Sequence, residues 1–215
     1  MIRALLCDDH ALIRRGIRDT LVDAGGIEIV GEVSDYASLR EWMRDGEASK
    51  RVDVLVLDIN LPGRSGLDVL HVLKDQGESM RTLVVSMYPE EQYAIRCLRA
   101  GAYGYVNKGG DPAELVAAVK QVGAGRKYVT PQIAQMLVEN LTTPAPEQAH
   151  QKLSDRELQT LVLIASGRRL SDIAEELLLS PKTVSVYRAR VLEKLGLSNN
   201  SELTVYAIRN GLVEG

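Results

Sequence analysis

Residues 52–58 read VDVLVLD, and Val54–Leu57 within them is an unbroken apolar run. A half-exposed strand alternates polar with apolar residues. This one does not, so both of its faces must be covered. Parallel strands whose crossover helices lie on both sides of the sheet meet that condition. The rest of the first half agrees. Short apolar runs stand at Ile2–Leu6, Glu28–Val33, Asp53–Leu57, Thr82–Val85 and Tyr103–Val106. Helical periodicity occupies 11–24, 37–46, 66–76, 90–100 and 112–122. The expectation is an α/β domain, 1–123, on a doubly wound, five-stranded parallel sheet. Its last helix carries explicit start signals: Asp111 as cap, Pro112 in the first turn and Glu114 at the third position.

The pattern changes after residue 124. Thr130-Pro131 opens a further helix over 131–141. TTPAPEQAHQ, 142–151, then carries two prolines and no apolar residue larger than Ala, the composition of a linker. Residues 124–151 are read as a linker with one helix, and 152–215 as a small all-α domain. There, Ser154 to Glu157 form a capping box, and Leu158, Leu161, Val162 and Ala165 follow at helical spacing up to Gly167. A second helix covers Leu170–Leu178. Ser180-Pro181 opens a third that runs to Leu195, and Ser198 or Asn199 opens a fourth that ends at Gly211.

Phe is absent, so Leu, Val and Ile must fill the cores. The net charge of −3 excludes a uniformly basic nucleic-acid binder. The charge is uneven, however: residues 151–215 hold nine Lys or Arg against eight Asp or Glu, while the first 150 are net −4. Two domains with different partners fit that split. Cys7 and Cys97 lack metal-ligand spacing and read as small core residues. No apolar run is long enough to cross a membrane, and MIRALLCDDH reaches carboxylates too early for a signal peptide. The expectation is a cytoplasmic protein with no membrane partner.

In an open parallel sheet, ligands sit outside the carboxyl ends of the strands. The residues expected there are Asp8 and Asp9 after the first strand, Asp58 after the third, Ser86 at the fourth and Lys108 after the fifth. Crowded carboxylates repel one another unless a cation intervenes. Mg2+ (or Mn2+) suits a few carboxylates and keeps several waters. One Asp oxygen is then left to attack a phosphoryl group, and Lys108 would neutralise charge on the transferred oxygens. Taken singly, each residue also reads as a strand-end cap or a solvated loop acid.

The segments LLCDD, LDINLPGRSG, VVSM and GYVNK together resemble the receiver domain of bacterial two-component response regulators, a flavodoxin-like fold. The resemblance implies that Asp58 is the phosphoacceptor for a sensor histidine kinase. It further implies that Asp8 and Asp9 hold Mg2+ with Asp58 and the Asn60 backbone carbonyl, that Ser86 and Lys108 contact the phosphoryl group, and that Tyr105 is an aromatic switch. A half-buried edge aromatic is the other reading of Tyr105. Gly109 departs from the proline common after this lysine, so the loop is expected to be shaped differently. A bulky Tyr88 would shield the acyl phosphate. His10, Arg14, Arg15 and Arg18 would meet the kinase or form a solvated face.

Residues 170–195 offer the support helix, tight turn and recognition helix of a helix-turn-helix unit. Ile173, Ala174 and Leu177 face Val184, Val191, Leu192 and Leu195. Cations and hydroxyls occupy the rest of the third helix, where they would reach phosphates and base edges or form a solvated face. From LSDRELQTL to YAIRNGL the segment resembles the LuxR-type DNA-binding domain, and behind a receiver the chain resembles a NarL/FixJ response regulator. That implies double-stranded promoter DNA contacted by Lys182, Thr183, Ser185, Arg188, Arg190 and Lys194. It also implies a homodimer formed on phosphorylation or DNA binding, helped by the last helix. Tyr187 stands where His is common, and Asn200 where Arg is common.

Three rivals are set against this reading. An aspartyl-nucleophile hydrolase of the haloacid-dehalogenase type needs a second acid two residues on, where Asn60 stands. A dinucleotide enzyme needs G-x-G-x-x-G after the first strand, which is missing. A phosphorylation-independent regulator or a protein-interaction module would not need Asp58, Ser86 and Lys108 together. The chain is therefore expected to accept a phosphoryl group and lose it slowly, without enzymatic turnover.

Overall fold

A computed structural model describes residues 1–44, 52–62, 64–77, 80–142 and 149–213. Its contacts divide the chain into two units, Met1–Glu139 and Asn140–Gly215.

The first unit contains strands β1 (Ile2–Cys7), β2 (Ile27–Val33), β3 (Val54–Asp58), β4 (Arg81–Ser86) and β5 (Gly104–Asn107). All pair in parallel, in the order β2-β1-β3-β4-β5. Helices α1 (Ala11–Asp23), α2 (Tyr36–Arg44), α3 (Gly66–Gln76) and α4 (Glu90–Ala100) lie between successive strands, and α5 (Pro112–Gly123) follows β5. Both faces of the central strand are covered, as the VLVL run requires: every residue of β3 is buried. On one face Ala4, Leu6, Val54, Val56, Leu83 and Val85 join Ile17 and Leu21 of α1 and Leu115, Ala118 and Val119 of α5. The alternate residues, among them Leu55, Leu57, Val84 and Tyr105, point to the opposite face and are also buried. With no Phe, the largest buried side chains are Tyr93 and Tyr105.

The first unit extends past the boundary expected at residue 123. Tyr128 donates its N–H to the Tyr103 carbonyl at 2.8 Å, and its Cβ lies against Gly104. Thr130 donates its hydroxyl to Glu90 and accepts from the Ile133 N–H, which starts α6 (Pro131–Thr142) with Ile133 fully buried. Residues 124–139 therefore cover the β5 side of the sheet, where an open edge would otherwise be exposed. Of the expected proline-rich linker, 143–148 lies outside the described residues.

In the second unit a 3-10 turn spans Ala149–Lys152, and the sequence assigned 149–151 of it to the linker. His150 is buried there, its backbone N–H donating to the Tyr206 hydroxyl at 3.2 Å. Four helices follow: α7 (Asp155–Ala165), α8 (Leu170–Glu176), α9 (Pro181–Leu195) and α10 (Asn200–Arg209). The expected caps form. Ser154 and Glu157 make the capping box of α7, Ser180 accepts from the Thr183 N–H, and Asn199 accepts from the Glu202 N–H. Leu161, Ile173, Val184, Val191 and Leu203 pack in the core. The turn between α8 and α9 comes earlier than expected. The helix ends at Glu176, and Leu178 takes a left-handed conformation at φ 52°.

Candidate functional site

The β1/β3 boundary is the point at which strand order reverses, and the parallel register brings the strand ends into one line. Cys7 pairs with Leu57, Asp58 with Val85 and Ser86 with Asn107. Asp8, Asp58, Ser86 and Lys108 therefore meet at one edge. Lys108 Nζ lies 2.7 Å from Asp8 Oδ2 and 2.7 Å from Asp58 Oδ2. All three side chains are almost fully buried, and Asp9 is half-buried beside them.

Local structure fixes each acid. The His10 N–H donates to Asp8 Oδ1 at 2.8 Å, and the Asn60 N–H to Asp58 Oδ1 at 3.1 Å. The loop after Asp58 closes tightly on it. A Cβ added at Gly66 would come 2.5 Å from the Asp58 carbonyl oxygen and 2.7 Å from Ile59 Cα. The Gly66 N–H bonds Ile59 O at 2.8 Å, and Ser65 caps α3 in a reciprocal box with Asp68. Only glycine lets α3 begin against the backbone of the acid it supports. Burial raises the Asp58 carboxyl to about 6, with Lys108 opposing and Asp8 reinforcing that rise.

The donor set fits a hard divalent cation. Ligand atoms of Asp8, Asp9, His10 and Asp58 all lie within 4.8 Å of one another. Asp8 Oδ2, Asp9 Oδ1 and Asp58 Oδ2 are buried and receive no aligned hydrogen bond, although Lys108 and His10 stand at ion-pair distance. Oxygens in that condition are donors for an oxygen-seeking ion.

Ser86 and Tyr105 share a direct side-chain hydrogen bond and also meet through Tyr88. The Tyr88 N–H donates to Ser86 Oγ at 3.1 Å, and the Tyr105 hydroxyl donates to the Tyr88 carbonyl at 2.7 Å. Tyr105 is fully buried, and that burial pushes its phenol well above the usual range. The Tyr88 ring stacks on Tyr93, with ring centroids 4.8 Å apart.

In the second unit, α9 packs on α7 and α8 through its apolar side. Its other side exposes Lys182, Ser185 and Arg190, with Thr183 and Arg188 half-buried. Ser185 donates its hydroxyl back to the Pro181 carbonyl, and Thr183 Oγ1 lies 2.8 Å from Ser180 Oγ. Arg188 Nε donates to Asn200 Oδ1 at 2.6 Å.

The comparisons agree with this geometry. Residues 4–120 match the family described as response regulator receiver domain, and 151–207 match bacterial regulatory proteins of the luxR family. Response regulator UvrY of Escherichia coli (strain K12) is 38% identical over 213 residues, covering 99% of this chain and 96% of UvrY. Response regulator GacA of Pseudomonas aeruginosa is 36% identical over 215 residues, covering 100% and 99%. This chain belongs to the LuxR-type response regulators. Among solved structures, RcsB from Salmonella enterica serovar Typhimurium, bound to promoter rprA in the presence of the phosphomimetic BeF3−, aligns with a TM-score of 0.59 at 26% identity. That alignment covers 95% of this chain and 97% of RcsB. The response regulator is a transcription factor whose DNA binding phosphorylation controls.

The structure of this response regulator brings Asp8, Asp9, Asp58, Ser86 and Lys108 together and buries Tyr105 completely, which ends the half-buried reading of that residue. It adds partners to three of the sequence expectations. Lys194, expected to face DNA, is exposed and also donates to Glu157 at 2.7 Å, tying the end of α9 to the start of α7. Arg14 and Arg18, expected to meet the kinase or form a solvated face, are both paired with Glu32 of β2. Tyr88, expected to shield the phosphoryl group, stacks its ring on Tyr93 of α4. Sequence reasoning missed Glu157 as an ion-pair partner, because the capping box already accounted for it. It also passed over Asn107, whose one available signal was its position two residues before Gly109.

Proposed function

We propose that Asp58 is the phosphoacceptor of this response regulator and that a sensor histidine kinase is the donor. An Asp58 carboxylate oxygen attacks phosphorus, the P–N bond to the kinase histidine breaks, and its electron pair leaves on the imidazole nitrogen. Lys108, within ion-pair reach of Asp58 and Asp8, supplies positive charge beside the incoming phosphoryl oxygens. The Asn60 N–H orients Asp58, and Ser86 donates to the new phosphoryl group. Asp8, Asp9 and Asp58, with the Asn60 carbonyl, would hold Mg2+ (or Mn2+), which neutralises the carboxylates and the transferred oxygens. Asn60 stands where a hydrolase needs its second acid. The protein therefore acts as a timed switch and not as a turnover enzyme.

On the output side, α9 enters the major groove of promoter DNA. Lys182, Arg188 and Arg190 supply the cationic contacts, and Thr183 and Ser185 lie on the same side. Phosphorylation promotes a homodimer that places two α9 helices on half-sites about one helical turn apart. No helix among the described residues is long and apolar enough to cross a membrane, which suits work in the cytoplasm beside DNA.

The pairing of Asp8 and Asp58 with the Lys108 ammonium, with Asp9 clustered beside them, carries this reading. Its test is intact mass after brief treatment with a small phosphodonor and Mg2+. The parent gains one phosphoryl group and Asp58→Asn gains none. An adduct that persists in Asp58→Asn rejects the assignment.

A further inference from the structure

The amide of Asn107, the last residue of β5, spans two loops at the receiver site. Its Nδ2 donates to the Tyr88 carbonyl at 3.2 Å, the same oxygen that accepts the Tyr105 hydroxyl. Its Oδ1 accepts the Gly109 N–H at 2.7 Å, and its own carbonyl accepts the Gly110 N–H at 3.1 Å. Lys108 lies between these two anchor points, its N–H bonded to the Ser86 carbonyl at 2.8 Å. A proline after Lys108 would have no N–H to offer Asn107.

We propose that Asn107 is a positioning residue that couples the phosphoryl site to Tyr105. The proposal rests on Asp58 being the phosphoacceptor. Ser86 Oγ holds the Tyr88 N–H, and the Tyr88 carbonyl holds Tyr105 and Asn107. When Ser86 rotates toward a phosphoryl oxygen it releases the Tyr88 N–H, and the β4–α4 loop is freed to move. Both donors on the Tyr88 carbonyl then move with it. Asn107 transmits the displacement through the Gly109 N–H to the peptide that follows Lys108. The tyrosine and the lysine loop thus respond as one two-state element, because a shared acceptor cannot satisfy them in separate positions. Without Asn107, Ser86 and Lys108 still contact the phosphoryl group, but the lysine loop and Tyr105 are no longer linked.

The test uses the full chain and a DNA duplex selected by the parent from a random pool. Duplex affinity is measured with and without BeF3− and Mg2+, and adduct formation is followed by intact mass with acetyl phosphate. In the parent, BeF3− raises affinity by roughly 5–150-fold, the ordinary range of coupling between sites. Asn107→Ala forms the adduct as the parent does, yet its gain in affinity falls below about one third of the parent's. Asn107→Thr keeps a hydroxyl that can accept from Gly109 and donate toward Tyr88, and it recovers part of the gain. A purely structural role would depress the adduct and the affinity together and would not be rescued by Thr. An unchanged BeF3− response in Asn107→Ala overturns the proposal, as does loss of the adduct in a variant that still melts cooperatively. A parent that forms no adduct instead rejects the phosphoacceptor reading beneath it.

Discussion

At Asp58 burial opposes ionisation, while the Lys108 ammonium and the Asn60 N–H favour it; burial prevails and the carboxyl rises to about 6. An unfolded Asp titrates near 3.9. Between those values the folded chain binds more protons than the unfolded one, so this group lowers stability as pH rises through the window. Asp58→Asn should therefore melt higher than the parent at pH 8 in cation-free buffer, by about 1–3 kcal/mol, and the gap should close toward pH 4. Thermal denaturation across that range checks it. Protons compete with a cation for the same oxygens, so Mn2+ affinity, followed by electron paramagnetic resonance, should weaken as pH falls through about 6. Glu157 behaves in the opposite sense. Burial pushes its carboxyl up, but Lys194 and the Ser154 N–H and hydroxyl hold it below the usual carboxylate range. Its contribution is fully present above the unfolded value and is lost as pH falls through the folded one. Lys194→Ala leaves a buried carboxylate without its cation and should destabilise the second unit by about 1–3 kcal/mol, with little change in the salt dependence of DNA binding.

At the scale of elements, α9 divides its cations between two tasks. Lys182 is exposed and Arg188 half-buried beside Asn200, and both lie on the side of α9 away from the core, so replacing either with Ala should weaken binding to the selected duplex and reduce the log–log salt slope by about 1. An unchanged slope would move the DNA surface elsewhere. The turn before α9 rests on Leu178 at positive φ, where a Cβ is disfavoured by roughly 1–2 kcal/mol. Leu178 is largely exposed, so Leu178→Gly removes little packing, and it should raise the stability of the second unit by about 0.5–1 kcal/mol. This turn was illegible in the sequence. LLLS offers three leucines and no glycine, so helical periodicity reads straight on to 178. The other stops of that domain, Gly167 and Gly196, were legible because glycine marks the left-handed residue directly, at φ 80° and 65°.

At the scale of the whole chain, two units fold around separate cores. The receiver unit includes residues 124–139, whose Tyr128 backbone pairs with Tyr103 and whose Ile133 is fully buried. A fragment cut at 123 should therefore melt several degrees below one cut at 139, as expected for a loss of about 1–2 kcal/mol in a domain of this size. Equal melting temperatures would return the boundary to 123. Composition misleads at this boundary because 124–130 (AGRKYVT) is polar and short, and its stabilising contacts are backbone pairing and one Tyr.

The chain order of apolar runs and helical periods determined the α/β receiver, the all-α second unit and the caps Ser154, Ser180 and Asn199, because each depends on neighbours within a few residues. The five site residues were also legible, since parallel topology forces strand ends to one edge. Tertiary structure alone decided which partner each side chain takes. Lys194 joins Glu157 across 37 positions, Tyr105 reaches the Tyr88 carbonyl across 17, and Gly66 is required by the backbone of Asp58 folding back onto it. Such pairings are fixed by packing between elements distant in sequence, and no local pattern encodes them.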